Sequence, residues 1–516
     1  MTLAPRIIRC ALIGLAALTL ADCAGSGPRP GPAGRSAAGG YVPAALQRAD
    51  VLWLERVGFG VDSRELAAYR RFGRAQFLQQ QLEAQQDDLP PAVAERIAAL
   101  PVSQLDAART LAAVRAQRRA IRTLGDTAAR QQARRALNRQ GNQLAAEAAT
   151  RELLRAIYSS SQLREQMVWF WLNHFSVSEY KGDLRWLLGD YAEHAIRPHA
   201  LGHFRDLVMA TLEHPAMLEY LDNWQNRAGH LNENYAREFM ELHTLGVGSG
   251  YTQQDVQQLA RVFTGVGINV GAAPRLPPAL QRLYVRRGAF EFNPAHHDFG
   301  AKVLLGHRLQ GRGFAEVQNA VTLIVRQPAC ARFISRELAT YFVADDPPPR
   351  LVAAMSATFR RTDGDIGAVL RTLFTSPEFN AALGGKFKDP MRYVVSAMRL
   401  TYDDEPAISN VRPVLGWLGA LGEAPYGRQT PDGYPLTASG WASPGQVSRR
   451  FEIARAIGNG AAPLLGVREV PQLSSELYEQ TLAPFLAPNT RAALAQARSA
   501  REWNTFLLSS PELNYE

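Results

Sequence analysis

The sequence predicts an all-α protein with long loops and a few short strands. Three observations carry this. Apolar residues recur at three- and four-residue spacing from Tyr41 onward. Residues 102–157 are rich in Ala, Arg and Gln, which favour helices. Helix-start signals recur along the chain, at Asp62, Thr252, Phe314, Pro328, Pro348, Asp365 and Asp389. No alternation of strands with helices is visible, and no glycine-rich phosphate loop.

In order, YVPAALQRADVLWLERVGFG reads as a helix ended by glycines. Asp62 starts the next, and Phe77, Leu78 and Leu82 continue an apolar face until Pro90-Pro91 breaks it. Residues 102–157 form a basic helical hairpin, with Gly125 and Gly141 as expected interruptions. Its charged faces suit solvent or a docking partner. MVWFWLNHF packs large apolar side chains so densely that burial is expected. Residues 184–221 give two more helices, the second ending near HPAMLEYLDNW. In YTQQDVQQLARVFTG, Thr252 and Asp255 form a capping box ahead of Val256, Leu259, Ala260 and Phe263. Residues 266–300 are the least helical stretch, a loop with short strands. Gly433-Tyr434-Pro435 and Trp441-Ala442-Ser443-Pro444 punctuate a final loop. We place the main domain at 41–460 and a C-terminal helical extension at 461–516.

The N-terminus reads as an export signal over 1–22. Arg6 and Arg9 precede an apolar run too short for a confident membrane span. Leu20-Ala21-Asp22-Cys23 resembles a bacterial lipoprotein box with Cys23 as the lipidation site, although Asp22 departs from the small residue expected there. Residues 23–40 form a Gly/Pro/Ser/Ala tether. The expectation is an exported protein facing the periplasm or cell surface, held to the membrane by a lipid on Cys23. Of the three cysteines, only Cys330 lies in the body, so neither a disulfide nor a thiolate cluster is expected there. The formal charge of +9 permits an acidic partner. No nucleic-acid-binding signature accompanies it, and no nucleic acid is expected.

The polar residues offer candidate chemistry. On a helix from Asn232 to Leu245, Asn234, Arg237, Glu238 and Glu241 share one face, while Tyr235, Phe239 and Leu242 pack and His243 turns away. Two carboxylates three residues apart can hold a hard divalent cation or act as an acid–base pair. They can equally be ion-pair partners of Arg237 in a structural network. We take Arg237, Glu238 and Glu241 as catalytic candidates. Other polar clusters are Asn173-His174, His214 with Asp222-Asn223, and Asn293-Pro294-Ala295-His296-His297-Asp298. His174, His296, His297 and Asp298 are candidate ligands for a divalent metal ion, whose identity the residues do not specify. No His-Glu-x-x-His motif and no Gly-x-Ser-x-Gly elbow occurs.

Several stretches together resemble the bacterial DUF1800 family, a domain family of unknown function. They include RVGFG (56–60), MVWFWLNHFSVS (167–178), HPAMLEYLDNW (214–224), the long run from Leu231 to Gly265, and FNPAHHDFGAKVLLG (292–306). PACARFISRELATYFVADDPP (328–348), GDIGAVLRTLFTSPEF (364–379) and PDGYP (431–435) follow. The resemblance implies an exported, largely helical protein and supplies no reaction. Glu337 stands where the family pattern has a lysine, and Gly267 falls where a tryptophan is usual; both departures are expected to affect surface or loop detail. Two readings follow: a metal-dependent hydrolase with a Glu/His/Asp pocket, or a non-catalytic envelope lipoprotein that binds a protein or a cell-surface polymer.

Overall fold

The computed structural model describes residues 46–84, 87–403, 408–460, 464 and 469–516. The expected signal (1–22), the expected tether (23–40) and Cys23 lie outside the described residues. Helices account for 64% of the structure and strands for 4%, which makes the fold all-α as expected. Three strands fall in the stretch that reads as non-helical, 266–300, and Val303–Leu304 pairs with His307–Arg308 just beyond it. Val266–Ile268, Phe290–Phe292 and Val285–Arg287 form an antiparallel sheet with Phe290–Phe292 at its centre, pairing Val266 and Val285 with Phe292. Among the described residues, no helix is long and apolar enough to cross a membrane.

Two helices form the centre of the body. Gln162–His174 is buried along nearly its whole length, and Pro390–Tyr402 is buried throughout. A helix buried on every side must pair each polar group it carries. Arg399 does so through its Nη2, 2.9 Å from Glu65 and 3.1 Å from Asp62, and through Nε, which donates to Gly60 O at 3.0 Å. Arg392 stacks on the Tyr341 ring at 3.6 Å and pairs with Asp389 and Glu516. The helix Pro444–Gly458 packs against Ala500–Leu508, and Phe387 bridges Tyr515, so the C-terminal helices belong to the same body.

The start signals act as their chemistry dictates. Asp62 accepts from Glu65 N at 2.7 Å, and Thr252 and Asp255 form the reciprocal capping box. The hairpin consists of Ala107–Thr123 and Thr127–Tyr158, split around Gly125. Gly141 does not interrupt the second helix. It lies against Trp186, where a Cβ would sit 3.2 Å from the indole, so this glycine serves close packing and not a break.

Candidate functional site

The Leu231–Gly265 run departs from a uniform α-helix. Asn234–Glu238 is α-helical, but Phe239–Thr244 widens into a π-helical turn. Leu245 N donates to Met240 O at 2.9 Å, and Thr244 Oγ1 to Phe239 O at 2.6 Å. Each bond reaches back five residues and shifts the side chains that follow out of α-helical phase. The turn ends at Gly246, whose φ is 84° and whose missing Cβ would lie 2.7 Å from the Phe333 ring. Glu241 and Leu242 therefore reach an open cleft of about 760 Å³, and Leu242 lines it instead of packing with Tyr235 and Phe239.

Four segments supply most of the cleft lining, and Val352 of the helix Pro349–Arg361 adds to it. The end of the aromatic helix supplies Phe170, Asn173 and His174. The π-turn and the glycine loop after it supply Glu241, Leu242, Leu245 and Ser249. The helix Pro328–Phe342 contributes Ala329, Arg332, Phe333, Arg336, Glu337 and Thr340, a stripe at helical spacing opposite its buried face of Cys330, Ile334 and Leu338. The loop from Arg428 to Thr437 closes the fourth side. That loop is latched to the aromatic helix: Asn173 Nδ2 donates to Tyr434 O at 3.0 Å, and Tyr434 N donates to Asn173 Oδ1 at 2.6 Å.

The electrostatics of the cleft are uneven. Burial pushes the Glu337 carboxyl up to about 7, against the pull of Arg336. Glu337 makes no hydrogen bond or ion pair among the described residues. His174 is pushed down to about 4 by burial, although its ring is bonded to the His243 carbonyl at 3.1 Å. A carbonyl only accepts, so Nε2 of His174 carries the proton and Nδ1 is the bare nitrogen. Burial and the neighbouring His174 push His243 to about 3, and its ring packs 5.1 Å from Phe175. Both imidazoles are neutral at physiological pH. Burial and the charge of Glu241 raise Glu238, while burial's upward push on Asp432 is outweighed by bonds from Arg428 and Thr430.

The catalytic and metal candidates do not form one group. His174 and Glu241 line the cleft. Arg237 lies beside it, 3.3 Å from Glu233, 3.6 Å from Glu241 and 2.7 Å from Gln253. Glu238 is half-buried and does not line the cleft. The histidine loop is a separate structural lock. His297 Nδ1 donates to Thr264 O at 2.8 Å, and its Nε2 lies 3.1 Å from Glu316, which also takes Lys302 at 2.8 Å. Asp298 forms a two-pronged pair with Arg261 at 2.8 and 3.1 Å. His296 is exposed beside them. The loop can approach so closely because a Cβ at Gly265 would lie 2.6 Å from Asn293 O. Among the described residues, no three His, Cys, Asp or Glu side chains converge in a metal-holding group. Cys330 is buried, and burial pushes its thiol far up.

Sequence reasoning passed over Glu337, Arg332 and Arg336. Glu337, expected to be a surface detail, is a wall of the cleft. The signal was present in the polar stripe of PACARFISRELAT, at positions three and four apart. Comparison with known proteins gives one finding: a family model described as a protein of unknown function, DUF1800, matches residues 52–515. No curated protein and no solved structure matches the chain.

Proposed function

Because the chain belongs to the DUF1800 family, whose function is unknown, we propose a role from the cleft itself: it binds an extended polar ligand of the cell envelope and hydrolyses it by acid–base chemistry, with Glu337 as proton donor. One observation carries this reading. Four of the separated stretches that carry the family resemblance, 167–178, 231–265, 328–348 and 431–435, all line this one cleft. Packing alone does not require that. Glu337 suits the donor role because a carboxyl that titrates near 7 still holds a proton where it is needed. Arg332 and Arg336 are exposed on the same wall, where they can pair with anionic groups of a ligand.

The test uses fragments of cell-wall glycan and of anionic envelope polymer, with products read by mass spectrometry. Wild type should release products, and Glu337→Gln should lower the rate by about 10²–10⁴-fold. Unchanged turnover in Glu337→Gln would overturn the acid–base reading. A ligand that raises the melting temperature of wild type and Glu337→Gln alike, but not of the cleft-filling Ala329→Trp, would identify a binding protein instead. Stability provides an independent check. With a folded pKa of about 7 and an unfolded one of about 4.3, Glu337 contributes its full stability below the unfolded value. That contribution is lost as pH rises through 7. The difference in stability between Glu337→Gln and wild type should therefore shift in favour of the variant between these values, by about 3–4 kcal/mol. A flat difference would show that the carboxyl is not perturbed.

We further propose export and a lipid anchor on Cys23, supported by the basic n-region, apolar run and cysteine of the N-terminus. Cys23→Ser should release the protein from the membrane fraction. Unchanged retention would rule out the anchor.

A further inference from the structure

The basic hairpin is not absorbed by the cleft. Residues 107–146 hold nine arginines, no lysine and one acid, Asp126, a net of +8 in a chain whose total is +9. The remainder of the chain is close to neutral, so the charge is concentrated in one element. Asp126 is engaged as the cap of the second helix, accepting from Ala128 N at 3.0 Å and Ala129 N at 3.1 Å. Arg118 pairs with Asp183 at 2.5 Å. Arg119, Arg122, Arg134 and Arg135 are exposed and make no ion pair among the described residues. They flank the turn of the hairpin. Leu137 is the first fully buried residue of Thr127–Tyr158; nearer the turn, Ala133 of that helix and Ile121 of the first pack against the core while the four arginines stay exposed.

We propose that this tip is a docking surface for a bilayer rich in anionic phospholipid. Arginine rather than lysine suits phosphate, because the guanidinium presents a planar fork of donors. Residues 107–146 contain no aromatic side chain on which a base could stack, so single-stranded nucleic acid is disfavoured. A flat field of phosphates needs neither stacking nor a groove. It needs several cations at one exposed turn, and each arginine near such a surface adds to the attraction. The proposal does not depend on the hydrolytic reading of the cleft or on the anchor at Cys23.

Residues 46–516 lie within one compact unit with its own core and carry no Cys23, so they test the tip without the anchor. Their sedimentation would be measured with vesicles of phosphatidylcholine alone and with about 30 mol% phosphatidylglycerol. Binding to the anionic vesicles should exceed binding to the neutral ones by about tenfold or more, and should collapse between about 50 and about 500 mM salt. Replacing Arg119, Arg122, Arg134 and Arg135 by Gln should remove the difference, and replacing them by Lys should keep most of it. Equal binding to neutral vesicles, insensitivity to salt, or full binding by the Gln set would overturn the proposal. So would loss in the Lys set as complete as in the Gln set. Tighter binding to duplex DNA than to anionic vesicles at matched phosphate would reassign the surface to nucleic acid.

Discussion

Arg197→Ala should cost the fold about 3–5 kcal/mol, the largest loss expected of any single substitution considered, because it strips the cation from a buried carboxylate cluster. The Arg197 guanidinium lies 2.8 Å from Glu165, 2.6 Å from Glu152 and 3.0 Å from Asp87. Arg155 adds a pair to Asp87 at 2.7 Å. Burial tends to raise both glutamates, with different outcomes. At Glu152 the combined pull of Arg197, Arg155 and Arg151 prevails and holds the carboxyl at about 2. At Glu165 burial prevails and the carboxyl stays above its usual range. Glu152 thus contributes stability that is present above its unfolded pKa of about 4.3. That stability is lost as pH falls toward 2. Without Arg197, two buried carboxylates face each other with less compensation. The shift in denaturant midpoint measures the effect. Adding Glu165→Gln to Arg197→Ala should recover part of the loss by removing one stranded charge. A loss under about 1 kcal/mol in the single variant would place the cluster in the solvent-screened class.

Gly433→Ala should unlatch the wall of the cleft. Gly433 has a φ of 69°, where side chains are strained. A Cβ there would overlap Asn173 O and come within 2.8 Å of Asn173 Oδ1. The strain alone costs about 1–3 kcal/mol. The clash falls on the residue whose side chain makes both latch bonds, so the 428–437 loop should also detach from the aromatic helix. The expected result is a lower melting temperature, faster proteolysis within 428–437 and loss of cleft binding. Asn173→Ala reaches the same state by another route, because it removes both bonds and leaves the glycine. If both variants keep the loop protected, the latch is not what holds this wall.

The Asn173–Tyr434 contact also marks the limit of sequence reasoning. Its partners are 261 residues apart, and no periodicity or capping rule spans such a distance. Within a turn or two of helix, sequence was sufficient. The box at Thr252 and Asp255, the cap at Asp62 and the burial of MVWFWLNHF follow from side chains acting on their own or adjacent turns, whereas the helix expected to break at Pro90-Pro91 already ends at Glu83 and Pro91 begins the next one. Family membership was legible for the same reason, since its motifs are local strings. Glu238 and Glu241 stay near enough for the charge of Glu241 to act on Glu238, but α-helical spacing assumes a constant pitch. The π-turn altered that pitch and delivered Glu241, but not Glu238, to the cleft. His296, His297 and Asp298 looked like ligands because their residue types bind metals. Glu316, Lys302, Arg261 and the Thr264 carbonyl, supplied by other segments, engage His297 and Asp298 instead. Gly141 read as a break until Trp186 was placed against it. By itself the sequence determined that the chain is helical, where capped helices such as those after Asp62 and Thr252 begin, and which faces most of them bury, because those outcomes rest on short-range hydrogen bonding and apolar periodicity. Only the tertiary structure decided which side chains share a cleft, because that depends on how distant segments dock.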